Sequence, residues 1–141
     1  MILDLQNLTP PKKPNWHLVV PSGWAHTHAQ ARAPRFDVPL DILREALVAV
    51  AAEEPRCHLL ALDKDARQAE FEQKSGLFGF PDRIVVEFVP LGNGASTLAL
   101  YSYAVKGYWD LGVNRKRLER WLAALPAQIA TLLSEEAPQV D

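Results

Sequence analysis

The residues best suited to chemistry lie in one stretch, GYWDLGVNRKRLERWL, at positions 107–122. Asp110 and Asn114 stand at the front of this stretch and Arg117 follows, where a helix is predicted to begin. The first amides of a helix carry free hydrogens and a partial positive charge, so together with Asn114, Arg117 and Lys106 they could hold an anion. The carboxylate of Asp110, however, can accept hydrogen bonds from the same amides and take the anion's place. We therefore favour a capped helix start over an anion site.

Gly112 and Asn114 are unusual residues for the first turns of a helix. Glycine costs about 1 kcal/mol relative to alanine inside a helix, which predicts that another backbone or a ligand comes close to Gly112. Asn114 lies three residues after Leu111 and four before Leu118, so it projects along the apolar stripe of the helix. A buried polar group without a partner costs about 1–3 kcal/mol. We therefore predict that Asn114 is hydrogen-bonded, either to protein or to a ligand.

The remaining candidates for chemistry are weaker. His26 and His28 would share one face of a strand and could bind a metal, but no further ligand pattern accompanies them, so no metal or cofactor is predicted. Cys57 is the single cysteine and is predicted to be a buried thiol at the start of a strand. The chain contains neither a glycine-rich phosphate loop nor a Gly-x-Ser-x-Gly elbow.

The bulk composition is that of one soluble globular domain. The chain has 141 residues, of which 48% are hydrophobic and 23% charged, and its formal net charge is −2. This charge balance argues against a nucleic-acid partner for the basic run after Asn114, which Glu119 also interrupts. No run of roughly 18 apolar residues predicts a membrane span. The expected location is cytoplasmic by default, or periplasmic or membrane-anchored if a leader precedes this sequence.

The first half of the chain predicts an arm, a strand and a helix. Three prolines around two lysines favour an extended arm over residues 1–15, ahead of a single domain over residues 16–136. An apolar strand is predicted over residues 16–20. Residues 24–36 show no clear periodicity and are predicted to be a loop that could contain one extended piece. Leucine spacing predicts a helix over residues 38–53 with Asp37 as its N-cap.

The second half predicts two hairpins and more helix. Strands are expected over residues 57–63 and 68–75, and over residues 83–89 and 96–105, the second pair joined by the turn sequence PLGNGA. The C-terminus is predicted to be a helix pair that is broken or kinked at Pro126. The fold class is therefore α+β: a mainly antiparallel sheet of about four to five strands, packed against a helix of the N-terminal half and a C-terminal helix pair.

The two faces of the predicted sheet are both apolar. Ile84, Val86 and Phe88 fall on one side of their strand, whereas Ala99 and Tyr101 fall on the opposite side of the last strand from Leu98 and Leu100. A sheet with one solvated face would show polar residues there. We therefore predict that the second face is also partly covered, by the strand at Trp16 or by the loop over residues 24–36.

The run from residue 80 to residue 125 resembles the C-terminal half of the domain-of-unknown-function family numbered 1499. The likeness is carried by Phe80, Pro81 and Asp82, by the strand ending near Ser102, and by Asp110, Gly112, Asn114 and Arg117. The segments KPNWHLVV and FDVP resemble the bacterial branch of that family, so the likeness covers residues 14–125. The family has no established activity, and the resemblance therefore implies a fold and a region of interest but no reaction.

One departure and one expectation accompany this resemblance. Family members often carry a Ser-Arg-Ser-like run where this chain reads Ser102-Tyr103-Ala104, so Tyr103 stands where an arginine could have bound an anion. Members also often carry an N-terminal membrane anchor or leader, which implies that the given sequence is the soluble part of such a protein.

The leading functional hypothesis is a non-enzymatic domain that binds a small apolar or amphipathic ligand, or a protein partner. It follows from two apolar sheet faces, aromatic residues at the connections, and the lack of a catalytic constellation. The expected pocket lies between the sheet and the helices. Its predicted lining is Ser102, Tyr103, Trp109, Asn114 and Arg117.

Two alternatives come from other functional classes. A hydrolase-like enzyme would use a polar cluster of Asp82, Asp110, Asn114 and Arg117, provided that these side chains converge around an open cleft. An interaction subunit of a membrane-associated complex would instead use the proline-rich arm over residues 1–15.

Overall fold

The computed structural model describes residues 3–136, which form a six-stranded sheet and two helices. The elements in chain order are β1 Trp16–Pro21, β2 Ala31–Ala33, α1 Leu40–Ala52, β3 Cys57–Asp63, β4 Gln68–Lys74, β5 Pro81–Gly92, β6 Ala95–Ala104 and α2 Val113–Glu136. The strands lie in the order β2-β1-β6-β5-β4-β3. The α+β class and both predicted hairpins, β3–β4 and β5–β6, are confirmed.

The predicted strand count and the purely antiparallel pattern need correction. The region predicted to be a loop contains the short strand β2, which pairs with β1 in parallel through Val19 and Ala31. The other neighbouring strands are antiparallel, so the sheet is mixed. The sequence analysis allowed one extended piece in this loop, but a strand of three residues is too short to show the alternating pattern that would locate it.

Helices α1 and α2 cover one face of the sheet and enclose the main core. The strand residues predicted to share this face, among them Ile84, Val86 and Leu100, are fully buried there. Trp121 of α2 packs edge-on against Phe71 of β4, with ring centroids 5.5 Å apart. The alternation of apolar residues therefore predicted correctly which strand residues face the helices.

The start of α1 differs from the prediction. The helix begins at Leu40, and its N-cap position is Pro39, which makes no side-chain capping bond. Asp37 is not the cap, because its carboxylate accepts a hydrogen bond at 2.9 Å from the exposed Arg35. The proline sets the helix start through its fixed φ, and Asp37 lies too far upstream to reach the free amides.

The predicted C-terminal helix pair is one helix. Pro126 lies inside α2 on its exposed side, and the helix continues to Glu136. Trp121, Leu125 and Ile129 are buried on one stripe that runs past the proline, so both halves of the helix pack on the same core. Leu111, expected on this stripe, is exposed and precedes the helix.

The second face of the sheet is covered by the start of the chain and by the loop after β1. Leu5 is fully buried against Leu18, Val20 and Tyr101, with Trp24 and Ala29 packed beside them. The side chain of Gln68 exchanges two hydrogen bonds with the backbone of Leu3. Residues 3–8 are thus packed on the domain, although the proline spacing predicted an extended arm over residues 1–15. The prediction that the second apolar face of the sheet is covered is therefore confirmed.

Candidate functional site

A buried polar cluster lies where α2 crosses the sheet, and Arg117 is its centre. The Arg117 side chain is 5% exposed and donates from all three nitrogens. Its Nε bonds to Oε1 of Gln73 at 2.6 Å, and its Nη2 bonds to Oδ2 of Asp82 at 2.8 Å. Its Nη1 bonds to Oγ of Ser102 at 3.1 Å and to Oδ1 of Asn114 at 2.8 Å. One cation therefore ties α2 to β4, β5 and β6.

Asn114 is fully buried and is bonded entirely by protein. Its Oδ1 accepts from Arg117 and, at 2.6 Å, from the hydroxyl of Ser102. Its Nδ2 donates to the carbonyl of Asn15 at 3.2 Å and to Oδ2 of Asp110 at 2.9 Å. These four bonds use both donor hydrogens and both acceptor positions of the amide. The hydrogen bonding predicted for Asn114 is thus supplied by the fold itself.

Asp110 caps the start of α2. Its Oδ1 accepts from the amide of Gly112 at 2.9 Å, and its Oδ2 accepts from the amide of Asn114 at 3.4 Å. The carboxylate thereby occupies the position that an anion would take at this helix start.

Glycine is favoured at position 112 by the backbone conformation, and no other segment of residues 3–136 packs closely against this residue. Its φ is +77°, which favours glycine, and an added Cβ would find nothing within 4 Å. The prediction that another backbone comes close to Gly112 was wrong. The residue instead allows the chain to turn from Leu111, whose φ is +55°, into the first turn of α2.

The strands place the cluster by their alternation. Ser102 stands opposite Ile84, and Gln73 stands opposite Asp82. Ser102 is in phase with Leu98 and Leu100 and therefore points toward the helices. Gln73 was missed by the sequence analysis, although its phase with Phe71 in the segment QAEFEQKS was an available signal. Asn15 was also missed, because its contact with Asn114 is made by its backbone carbonyl, which no sequence pattern marks.

The cluster is closed to solvent. Gln73, Ser102, Asn114 and Arg117 are all buried, and the carboxylates of Asp82 and Asp110 keep partly exposed edges. Burial raises the pKa of Asp82, and the charge and hydrogen bond of Arg117 offset part of that rise. The predicted polar residues do converge, but an enzyme built on them requires an open cleft. In this arrangement Asn114 and Arg117 are buried, and the carboxylates of Asp82 and Asp110 are engaged by protein groups.

The other predicted ligand-binding residues lie elsewhere. Tyr103 points to the opposite face of the sheet and stacks on Tyr101, with ring centroids 4.9 Å apart. Burial raises the pKa of the Tyr103 hydroxyl. Trp109 is exposed and packs edge-on against Tyr108. The predicted pocket lining therefore separates into a buried part, an opposite-face part and a surface part.

The three residues of the motif Phe80-Pro81-Asp82 also lie in different environments. Phe80 is exposed and stacks on Phe78, with ring centroids 5.6 Å apart. Pro81 is the first residue of β5, a position where a strand tolerates proline. Asp82 is the member of the motif that reaches the polar cluster.

His26 and His28 serve the fold. Nδ1 of His26 accepts a hydrogen bond at 3.1 Å from the amide of His28, so Nε2 carries the proton and donates to the carbonyl of Leu5 at 3.1 Å. This pair of bonds ties the first residues of the chain to the loop after β1. Within residues 3–136, no group of three or more metal-ligating side chains is present.

An open apolar surface lies beside β3, the outermost strand on one side of the sheet. Leu59, Leu60 and Leu62 are each between 39% and 45% exposed on this strand. A cleft of about 230 Å³ opens between β3 and the end of α1. Its lining consists of Val48, Ala51, Ala52, Cys57, His58, Leu59 and Phe71.

Cys57 in this cleft is not an activated nucleophile. Burial raises the pKa of its thiol to about 11, and the nearby carboxylate of Glu54 acts in the same direction. At neutral pH the side chain is therefore a thiol, which behaves as a small apolar group.

A family model described as "Protein of unknown function (DUF1499)" matches residues 11–125. The match includes every residue of the polar cluster, the segment Phe80-Pro81-Asp82 and the run from Asp110 to Arg117. No curated protein shows significant similarity to the chain.

Proposed function

The chain belongs to the DUF1499 family of proteins of unknown function, and we propose that it is a non-enzymatic domain that binds an extended segment of a protein partner along β3. The observation that carries this proposal is a free strand edge beside an apolar cleft. The polar cluster then has a structural role, because it fixes α2 to the sheet.

The free edge supplies main-chain hydrogen bonds. Among residues 3–136, β3 pairs with β4 alone, so alternate amides and carbonyls along its other side are left without a strand partner. Residues 58–63 are all exposed, and the strand is seven residues long. An added strand would satisfy these groups, which is the basis of recognition by strand addition.

The leucines of β3 lie on the side of the cleft. Leu59 stands opposite Phe71 and Leu62 stands opposite Ala69, and both of these β4 residues face the helices. A bulge between Leu59 and Ala61 brings the two leucines to the same face, where regular alternation would have separated them. The edge therefore presents apolar contacts next to its hydrogen-bonding groups.

The size of the cleft favours a peptide over a small-molecule ligand. Pockets for small molecules usually measure about 300–1,000 Å³. The cleft measures about 230 Å³ and is open to the strand edge, so it suits one or two apolar side chains of a bound segment. Within the leading hypothesis, this comparison supports the protein partner.

The role of the proline-rich residues as an interaction arm stays a separate hypothesis. Deleting residues 1–15 would remove Leu5 from the second core and would confound a binding test with unfolding. Replacing the exposed Lys12 and Lys13 would test that hypothesis with the packing intact.

Selection of random peptides on the immobilised protein tests the proposal. We expect enrichment of peptides with alternating apolar residues, and their binding should shift the amide NMR signals of residues 57–63. Leu59→Lys and Leu62→Lys should each weaken binding about tenfold, equivalent to about 1.4 kcal/mol. Leu91→Lys is the matched control, because Leu91 is a similarly exposed leucine near the end of β5.

Two outcomes would contradict the proposal. Failure to enrich any peptide that shifts residues 57–63 would show that the edge is not a binding site. Equal affinity of Leu59→Lys and Leu91→Lys would show that the enriched peptides bind elsewhere. Sedimentation equilibrium adds a further check: a dimer that Leu59→Lys disrupts would show that the edge is occupied by a second copy and not by a partner.

A further inference from the structure

Two connections at one end of the sheet carry exposed aromatic and aliphatic side chains. The first is the β4–β5 turn, residues 75–80, and the second is the β6–α2 connection, residues 105–112. We propose that these connections, here called the aromatic end, dock the protein on the surface of a membrane that contains anionic lipids. This site is distinct from the β3 edge.

The sheet brings both connections to the same place. β5 begins where β6 ends, since Asp82 pairs with Ala104 and the amide of Val105 donates to the carbonyl of Pro81 at 3.2 Å. Neighbouring strands lie about 5 Å apart, so the bases of the connections are adjacent. Both therefore project beyond the same end of the sheet.

The apolar side chains of the aromatic end are turned outward. They are between 53% and 85% exposed, and they are Leu77, Phe78 and Phe80 in the first connection and Tyr108, Trp109 and Leu111 in the second. Contiguous exposed apolar groups of this kind mark interaction sites. Tryptophan and tyrosine are the residues that favour the boundary between water and lipid, because each combines an apolar ring with a polar atom.

Cationic residues surround these apolar groups. Lys74 precedes the first connection, Lys106 lies within the second, and Lys116 follows on the first turn of α2, all of them exposed. The side chain of Arg56 packs next to Gly76, and it hydrogen-bonds to the carbonyl of Lys74 at 3.1 Å. Each such cation adds attraction to an anionic lipid surface.

The carboxylates at this end are engaged by protein groups. Asp82 binds Arg117, and Asp110 accepts from the amides of Gly112 and Asn114. The positive groups therefore face outward while these negative groups face the cluster. This separation matches an anionic surface, although the formal net charge of the whole chain is −2.

Hydrogen bonds from residues of the polar cluster hold the second connection in place. The side chain of Asn15 donates to the carbonyl of Gly107 at 2.8 Å, and Asp110 ties the far end of the connection to α2. Ordering a loop on binding costs affinity, so a loop that is already held loses less. Shallow insertion of such side chains, about 5–10 Å deep, needs no membrane-spanning element.

Flotation with phosphatidylcholine vesicles, with and without phosphatidylglycerol, tests the proposal on the full chain. We expect binding only to vesicles with phosphatidylglycerol, a blue shift of the fluorescence of Trp109, and loss of binding at high salt. Phe78→Ser and Trp109→Ser should each lower the partition coefficient at least tenfold. Leu91→Ser is the matched control at the opposite end of the sheet, and it should leave binding unchanged.

The charge requirement has its own variants. Lys106→Gln and Lys116→Gln should each lower partitioning about fivefold, whereas Lys64→Gln, on the β3–β4 turn, should not. The substitutions lie on exposed side chains, and unchanged near-ultraviolet circular dichroism would verify the fold.

Three results would overturn the proposal. They are the absence of binding to vesicles with phosphatidylglycerol, equal binding with and without that lipid, and equal binding of Phe78→Ser and Leu91→Ser. Peptide binding at β3 does not depend on any of them, so the two proposals can fail separately.

Discussion

Replacing Arg117 by methionine should destabilise the protein strongly, because this side chain is the centre of the buried cluster. Methionine keeps much of the volume and removes the guanidinium. The hydroxyl of Ser102 still donates to Asn114 at 2.6 Å, so these two residues keep a partner. Oε1 of Gln73 and Oδ2 of Asp82 lose theirs.

The magnitude follows from these two acceptors. A buried neutral acceptor without a partner costs about 1–3 kcal/mol. The carboxylate of Asp82 loses its cation, but its side chain is 15% exposed and keeps some water. Removing one partner of a buried ion pair costs about 3–5 kcal/mol, and the partial exposure favours the lower half of that range. Together with the contribution of Gln73, we expect a loss of about 4–7 kcal/mol for Arg117→Met.

Urea unfolding followed by tryptophan fluorescence measures this loss, because Trp121 is fully buried one turn beyond Arg117. Arg115→Met is the matched control: that side chain is 60% exposed, and its ion pair with Glu119 is 3.8 Å long. The control should change stability by less than about 0.5 kcal/mol. Adding Asp82→Leu to Arg117→Met should recover about 1–2 kcal/mol, because no unpaired carboxylate is then left. Equal stability of the two arginine variants, or strict additivity in the double variant, would refute this reasoning.

Three further predictions concern single residues. Burial lowers the pKa of His17 below its ordinary value of 6.5. The neutral side chain therefore contributes stability that is complete above pH 6.5 and is lost as the pH falls below that value. His17→Gln should flatten the pH dependence of the free energy of unfolding in urea titrations, and an unchanged pH profile would contradict this prediction. Gly112→Ala should cost about 1–2 kcal/mol in thermal unfolding because φ is +77° there, while Gly23→Ala, at an open position, should be near neutral. Iodoacetamide should label Cys57, whose pKa is raised to about 11, far more slowly in the folded protein than in urea, and equal rates would disprove its protection.

Much of the fold was predictable because its signals are local. Alternation along the chain defined both hairpins and both apolar faces, and leucine spacing gave α1 to within a few residues. The sequence PLGNGA correctly marked the β5–β6 turn, where Asn93 and Gly94 adopt φ of +54° and +74°. Each of these features depends on residues within a few positions of one another.

The failures have tertiary causes. β2 is too short for a pattern, and β1 supplies the hydrogen bonds that make it a strand. Pro126 predicted a break in α2, but the packing of Trp121, Leu125 and Ile129 on the sheet keeps one helix. Leu3, Leu5 and Leu8 precede the proline-rich residues, and it is the apolar face of the sheet that orders them.

The sequence by itself determined which side chains lie at the start of α2. They are Asp110, which caps the helix, Asn114 on its apolar side, and Arg117 about one turn later. Only the tertiary structure decided what they do. The partners of Arg117 lie 35 and 44 residues away at Asp82 and Gln73, and Asn114 reaches Asn15 across 99 residues. Periodicity specifies the face on which a residue lies, but its partners depend on how strands and helices pack in three dimensions. That packing closes the cluster against solvent and leaves the β3 edge and the aromatic end open.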